Sequence, residues 1–384
     1  MVGGGFYALL GRMTHYAGMQ MPIAILVAAA IAMLTALSFS ELAARLPFSA
    51  GEPRYVDEAF GRKWLSILVG CGVIATGVVS AATLSRAFVG FLQDLFDVPM
   101  AGGITVIVVI VTGIAIRGIL ESVLVAMVIT VIEVGGLFWV LAVNAKSFNQ
   151  LADRFPEMVP DFAWNEWSGI FVASFLAFYA FIGFEDMVNE AEEVKNPRRN
   201  LPRGIILALL ITTVLYVLIG LVAVLAVTPE KLAASKTPLA LLVSEQGRSA
   251  RVLMIMISML SGMNGALVQI VMSSRVVYGM SDRGMGPRVL ATVHPKLRTP
   301  VYATLLMGGI TLILALWLPL ESLARITSGI MLVNFAFVNA ALVRLKLKAE
   351  TPPDEIVQFP LAVPVLGCIL CTSFLAIQLF SAPT

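Results

Sequence analysis

The sequence predicts an all-α, polytopic membrane protein, and three observations carry that prediction. Of the 384 residues 59% are hydrophobic and 13% charged, the mean hydropathy is +0.91, and apolar stretches of about 20 residues recur, each long enough to cross a hydrocarbon layer of ~30 Å as a helix. A soluble core would alternate polar with apolar faces, and a membrane β-barrel would show ~10-residue alternating segments; the sequence shows neither.

The apolar segments fall at 1–11, 20–45, 64–90, 101–117, 120–143, 167–190, 203–227, 249–279, 300–318, 321–343 and 358–381, about eleven crossings with the first too short. Polar loops with turn residues separate them, among them "PFSAGEPR", "DRFPEMVPDFAWNEW", "VKNPRRNLP" and "TPEKLAASKTP". If the first segment runs outward, seventeen Lys and Arg fall in inner loops and seven in outer ones, and the excess of basic residues marks the cytoplasmic side. Arg86 and Arg325 remain inside helices near their outer ends, where snorkelling to headgroups is expected. Asn196-Pro197 makes a turn, and Pro202 suits the first turn of the next helix.

The totals also exclude functions. A net charge of +2 with no basic run interleaved with aromatics argues against a nucleic-acid partner. Cys368 and Cys371 form a CxxC inside an apolar helix, where packing is expected rather than redox chemistry. His15 and His294 are too few and too far apart for a metal site, and "MVGGGFYALLGR" lacks the basic start of a secretory signal. No HExxH, nucleophile elbow or phosphate loop supports the different-class alternative of a membrane enzyme or scaffold.

The stretch "GFEDMVNEAEEVKNPRRNLPRG" places five carboxylates between Glu185 and Glu193, directly after an apolar run. Read as a helix from Phe184, Glu185, Asn189 and Glu192 align at i, i+4 and i+7, with Asp186, Glu190 and Glu193 beside them. Lipid cannot face such a helix, so the segment lines water or protein, and Gly183 before it is a point where a membrane helix can break. Gly3-Gly4-Gly5 is the matching weak point of segment one, each glycine costing about 1 kcal/mol in a helix interior relative to alanine. Interrupted helices at segments one and six point to a transporter of inverted-repeat design with its substrate near the midplane.

Three blocks carry a resemblance to a known family. "FYAFIGFEDMVNEAEEVKNPRRNLPRGI", "TALSFSELAARLPFSAGEPRYVDEAFG" and "SSRVVYGMSDRGMGPRVLATVHPKLRTPVYA" resemble corresponding parts of amino acid permeases of the amino acid–polyamine–organocation superfamily, and the similarity runs through nearly the whole chain. The resemblance implies a five-plus-five inverted-repeat fold of the leucine-transporter type, with repeats at 1–143 and 167–345 and an accessory helix at 358–381. It also implies that backbone amides at Gly3, Gly4 and Gly5, with Val2 and Phe6 alongside, hold a substrate carboxylate, and that carbonyls at Tyr179, Ala180 and Ile182 hold its α-ammonium. Gly183 and Phe184 would help form the same cavity. The family's cytoplasmic tail, its half-helix ahead of the glycines and, in many members, a twelfth helix lie outside residues 1–384.

Glu133, in "MVITVIEVGGLFWVL", has no other charge within ten residues on either side. A carboxylate at that depth is costly, of order 2.5 to 3.5 kcal/mol on insertion scales, so it is paired, wetted or protonated. Relatives that carry a lysine in this helix make Glu133 a candidate proton carrier, and Glu185 at the start of the inner half-helix is the second. Ser258, Ser261 and Asn264 in segment eight could instead ligate sodium, although hydroxyls in such helices commonly bond their own backbone. The expected function is therefore proton-coupled amino acid symport across the cytoplasmic membrane, with an amino acid exchanger or a sodium-coupled transporter as alternatives, lipid as the surround and no cofactor.

Overall fold

A computed structural model describes the chain apart from residues 48–50, 119–122, 163, 349–355 and 382–384, and apart from the side chains of 123–126, 165, 189–190, 192–193 and 380–381. Among the described residues every regular element is helical. The helices are α1 (Gly4–Ala17), α2 (Met21–Arg45), α3 (Gly51–Phe60), α4 (Lys63–Leu92), α5 (Met100–Arg117), α6 (Val123–Val143), α7 (Leu151–Met158), α8 (Trp164–Phe181), α9 (Pro197–Ala226), α10 (Pro229–Ala234), α11 (Pro238–Leu242), α12 (Arg248–Asp282), α13 (Val301–Trp317), α14 (Leu320–Leu347) and α15 (Ala362–Ser381).

Each of the eleven predicted apolar segments thus contains a helix among the described residues. Eight described stretches are long and apolar enough to span a membrane, or nine if the pair Met127–Val143 and Ala145–Met158, bent by 54°, is one span; Gly4–Arg45 counts as a single stretch and Val301–Trp317 is shorter. The first segment is longer than expected, because the helix runs on past Gly11 to Ala17. Several presumed loops are themselves helical: α3, α7, α10 and α11 all lie between apolar segments. Pro197 rather than Pro202 opens α9, with Asn196 in the left-handed region ahead of it at φ 49°, a conformation asparagine tolerates. Pro202 sits inside that helix, against the expectation that it would start it.

Helices of the first half pack on those five apolar segments later: α1 against α8, α2 against α9, α4 against α12 and α5 against α13. The larger apolar core gathers residues of α1, α2, α8, α9 and α14. A smaller one joins α4, α5, α12 and α13. Buried polar side chains tie elements within these cores. Asn339 on α14 donates to Thr35 Oγ1 at 2.9 Å and accepts from Ser38 Oγ at 2.6 Å, and Thr35 lies 3.6 Å from Cys371 Sγ. Cys371 is fully buried and Cys368 half-buried, both as free thiols, as the packing reading expects. Glu41 is likewise buried, and pairs with Arg45 at 2.8 Å and Lys346 at 2.7 Å.

The two arginines inside helices have protein partners. Arg86 donates to the Ala315 carbonyl at 2.7 Å. Arg325 pairs with Glu321 at 2.8 Å and lies 5.4 Å over the Tyr16 ring, whose hydroxyl donates to the same carboxylate at 2.6 Å.

Candidate substrate site

Two helix ends meet inside the bundle. Helix α1 begins at Gly4 with Gly3 as its N-cap; no side chain caps it and no acid stands in its first turn. Its first N–H groups therefore lack intrahelical acceptors and present partial positive charge. Helix α8 ends at Phe181, and the chain turns at Ile182 and Gly183, the latter at φ 121°, a conformation that favours glycine. The last carbonyls of α8 present the opposite partial charge.

The ends are adjacent. A Cβ on Gly5 would sit 2.7 Å from the Tyr179 ring and 3.7 Å from Ala180 Cα, so the first turn of α1 lies directly on the last turn of α8. Ile182 N–H donates to the Tyr179 carbonyl at 3.3 Å, tightening the end of α8. Beyond the break, Glu185 Oε2 accepts the Gly183 N–H at 2.8 Å. Gly4 faces elsewhere: its Cβ would meet Gly262 Cα on α12 at 2.8 Å and Leu84 on α4 at 2.9 Å. Gly3 faces open space.

The remaining predicted residues divide between wall and core. Val2 is half-buried. Phe6 is buried and stacked on Tyr216 with ring centroids 3.9 Å apart and planes 3° from parallel. Phe184 is buried, its ring edge-on to Phe39 at 5.6 Å and 5.2 Å from Phe335, so it packs in an aromatic cluster. The segment after the break is a 3-10 helix over Glu185–Glu193 rather than an α-helix. Three residues per turn replace the 3.6 on which the expected i, i+4, i+7 alignment rests. The side chains of Asn189, Glu190, Glu192 and Glu193 lie outside the described residues.

Glu133 on α6 is 1% exposed. The Tyr7 hydroxyl donates to its backbone carbonyl at 2.7 Å, which ties α6 to α1 just beyond the glycines. The side chain faces Ser261 without closing a hydrogen bond, for Glu133 Oε1 and Ser261 Oγ are both buried and unpartnered. Of the three possible sodium ligands, Ser258 donates to the Met254 carbonyl on its own helix at 2.8 Å, Ser261 faces Glu133, and Asn264 is half-buried. The proton candidate and part of the ion candidate therefore meet at one place, beside the start of α1.

A broken helix α8 packed on the start of α1, with a buried acid beside them, is what the resemblance implies, and comparison with known proteins decides the family: the amino acid permease profile matches residues 1–384. The chain belongs to the amino acid permease family. It is similar to the branched-chain amino acid permease BcaP of Bacillus subtilis, 28% identical over 375 residues that cover 92% of this chain and 79% of that one. It is also similar to the human cationic amino acid transporter 4, 29% identical over 384 residues, covering 92% of this chain and 59% of that one. A third relative is the methylthioribose transporter of Bacillus subtilis, 25% identical over 397 residues, covering 98% and 84%. The permease is an integral, multi-pass membrane transporter and not an enzyme.

Sequence reasoning named Tyr179 for its carbonyl but missed its hydroxyl, and it missed other residues of this permease's interior. Tyr179 OH lies 2.9 Å from Ser80 Oγ and links α8 to α4 beside the break. Tyr7 and Tyr216 border the start of α1. Tyrosines in an apolar run carry no sequence signal of a partner, since each ring reads as one more hydrophobic residue. Glu52 was missed too: in "SAGEPRYV" it reads as a solvated loop acid, yet it is 1% exposed. The spacing Glu52, Tyr55, Val56, Ala59, all buried on α3, is the helical stripe that could have revealed it.

Proposed function

We propose that this permease carries α-amino acids across the cytoplasmic membrane by alternating access, driven by protons. The observation that carries the reading is the apposition of the uncapped N-terminus of α1 with the C-terminal end of α8. A carboxylate suits the first end and an ammonium the second, and an α-amino acid is the small molecule that offers both on one carbon. Backbone groups recognise that common part, so Val2, Gly3, Gly4, Gly5 and Phe6 would take the carboxylate end, and Tyr179, Ala180, Ile182, Gly183 and Phe184 the ammonium end. Selection among amino acids then falls to side chains. The relatives' names, a branched-chain amino acid permease and a cationic amino acid transporter, support the class.

The packing of α1 on α8, α2 on α9, α4 on α12 and α5 on α13, each five apolar segments later, supports two inverted repeats, about 1–143 and 167–345, with 358–381 as an accessory helix. In that frame Glu133 is the proton carrier. It is buried, its Oε1 is unpartnered, and it is linked through Tyr7 to the helix that would bind substrate. Protonation makes its burial inexpensive and deprotonation demands a partner or water, so its charge state can bias the two access states. Glu185, bound to the backbone at the break, would pass the proton onward.

Accumulation of labelled amino acids in proteoliposomes tests this. An inward-acidic-to-alkaline pH gradient should drive uptake, a sodium gradient should not, and Glu133→Gln should abolish driven uptake while preloaded vesicles still exchange. Concentrative uptake unchanged in Glu133→Gln would remove this residue from the mechanism, and uptake that needs sodium would replace the proton.

A further inference from the structure

A small cavity lies on the other side of the break from the α1 terminus, toward the end of the bundle where the basic loop residues gather. Glu52, Thr76, Glu185, Asp186, Gln269 and Ser273 are among the side chains that line it, and its volume of about 20 Å³ accommodates one water-sized occupant. Four elements meet there: α3 brings Glu52, α4 Thr76, the 3-10 segment Glu185 and Asp186, and α12 Gln269 and Ser273.

The wall of this cavity is short of partners. Glu52 Oε2 and Thr76 Oγ1 are buried without a hydrogen bond, in residues only 1% and 3% exposed. Close by, Tyr55 OH on α3 and Asn334 Nδ2 on α14 are buried and unpartnered as well. Buried polar atoms are nearly always satisfied, and three carboxyl groups around one water-sized space repel each other if all are ionised. A water in the cavity would give the two orphaned atoms a partner, and a proton shared among the carboxyl groups would relieve their repulsion.

We propose that this cavity is a proton-holding site, in which Glu52, Glu185 and Asp186 share a proton through a single water that also accepts or donates at Thr76. It deepens the proton-coupled reading by adding Glu52 and Asp186 to it, and gives protons a station between Glu185 and the cytoplasm. The chemistry is transfer alone: a proton joins a carboxylate oxygen and later leaves to bulk water, with nothing oxidised or reduced. Burial, with Asp186 nearby, pushes the Glu52 carboxyl up to about 7. The titratable and charged groups around it are Tyr55 on its own helix and Glu185 and Asp186 on the 3-10 segment. From α14, Arg344 is engaged on the Ala59 carbonyl and over the Phe60 ring. Arg54 on α3, Arg275 on α12 and Asp186 have contacts of their own.

The test is an infrared titration of the purified permease in lipid nanodiscs without substrate, following the carboxylic acid C=O band from pH 5 to 9. Wild type should show a band that disappears near neutral pH. In Glu52→Gln that amplitude should shrink and the remaining midpoint should move to lower pH, because one repelling acid is gone. Thr76→Val, which keeps the shape, should shift the midpoint even if Glu52→Gln does not fold. A band confined to the ordinary carboxylate range, or one identical in both variants and wild type, overturns the proposal. So does a band at pH 6 that sodium, but not choline, removes, for then a metal cation occupies the site. Because substrate is absent, this outcome is independent of the uptake test, and either can fail alone.

Discussion

A Cβ on Gly4 would lie 2.8 Å from Gly262 Cα, whereas one on Gly3 would touch nothing within 4 Å. The two glycines look alike in sequence and answer to different constraints. At Gly4 the obstacle is backbone, which cannot rotate away, so Gly4→Ala should destabilise the permease by roughly 1–3 kcal/mol, the usual cost of overpacking. Gly3→Ala should leave thermal stability within about 0.5 kcal/mol. Thermal unfolding of both variants in detergent checks this contrast; equal losses would mean that the α1–α12 contact is not tight. Tyr7→Phe removes one hydrogen bond, to the Glu133 carbonyl, and should cost about 0.5–1.5 kcal/mol. Driven uptake should persist in this variant with a lowered apparent proton affinity, whereas Glu133→Gln abolishes it.

Elements are joined by polar contacts that hydropathy cannot display. Asn339 bonds Thr35 and Ser38 and so couples α14 to α2. Asn339→Ala would remove both bonds, leaving Ser38 on the Leu34 carbonyl and Thr35 beside Cys371, and a loss of about 1–3 kcal/mol for the pair is expected, read as a lower unfolding temperature that Asn339→Leu does not restore. Helix α3 makes a pH prediction. The folded-state value of Glu52, about 7, stands above its ordinary value of 4.5. Its stabilising contribution is therefore complete below about pH 4.5 and is lost as pH rises through 7. The unfolding temperature of wild type should fall between pH 5 and 8, and that of Glu52→Gln should fall less. Apolar run length made the eleven helices legible from sequence, because the bilayer imposes one dimension on every span. The break at Gly183 was legible for a similar reason: charge directly after an apolar run has few physical solutions. The 3-10 geometry beyond it, the α3 stripe and the tyrosine contacts were not, since each depends on which helices become neighbours.

At the scale of the whole molecule, the start of α1 lies on the end of α8, the buried Glu133 is tied to α1 through Tyr7, and a carboxyl-lined cavity includes Glu185 just past the break. Recognition by helix ends rather than by charged side chains sets what the site should accept: both charges of the amino acid, and much variety beyond Cα. Competition for a bound radiolabelled amino acid, measured on purified protein with a series of analogues, tests that most directly. Blocking either end, as the methyl ester or the N-acetyl derivative, should weaken binding at least tenfold, whereas changing the side chain by one methylene should weaken it far less. Competition by ester and N-acetyl compounds as strong as by the parent amino acid would contradict the assignment of the two helix ends as the substrate site.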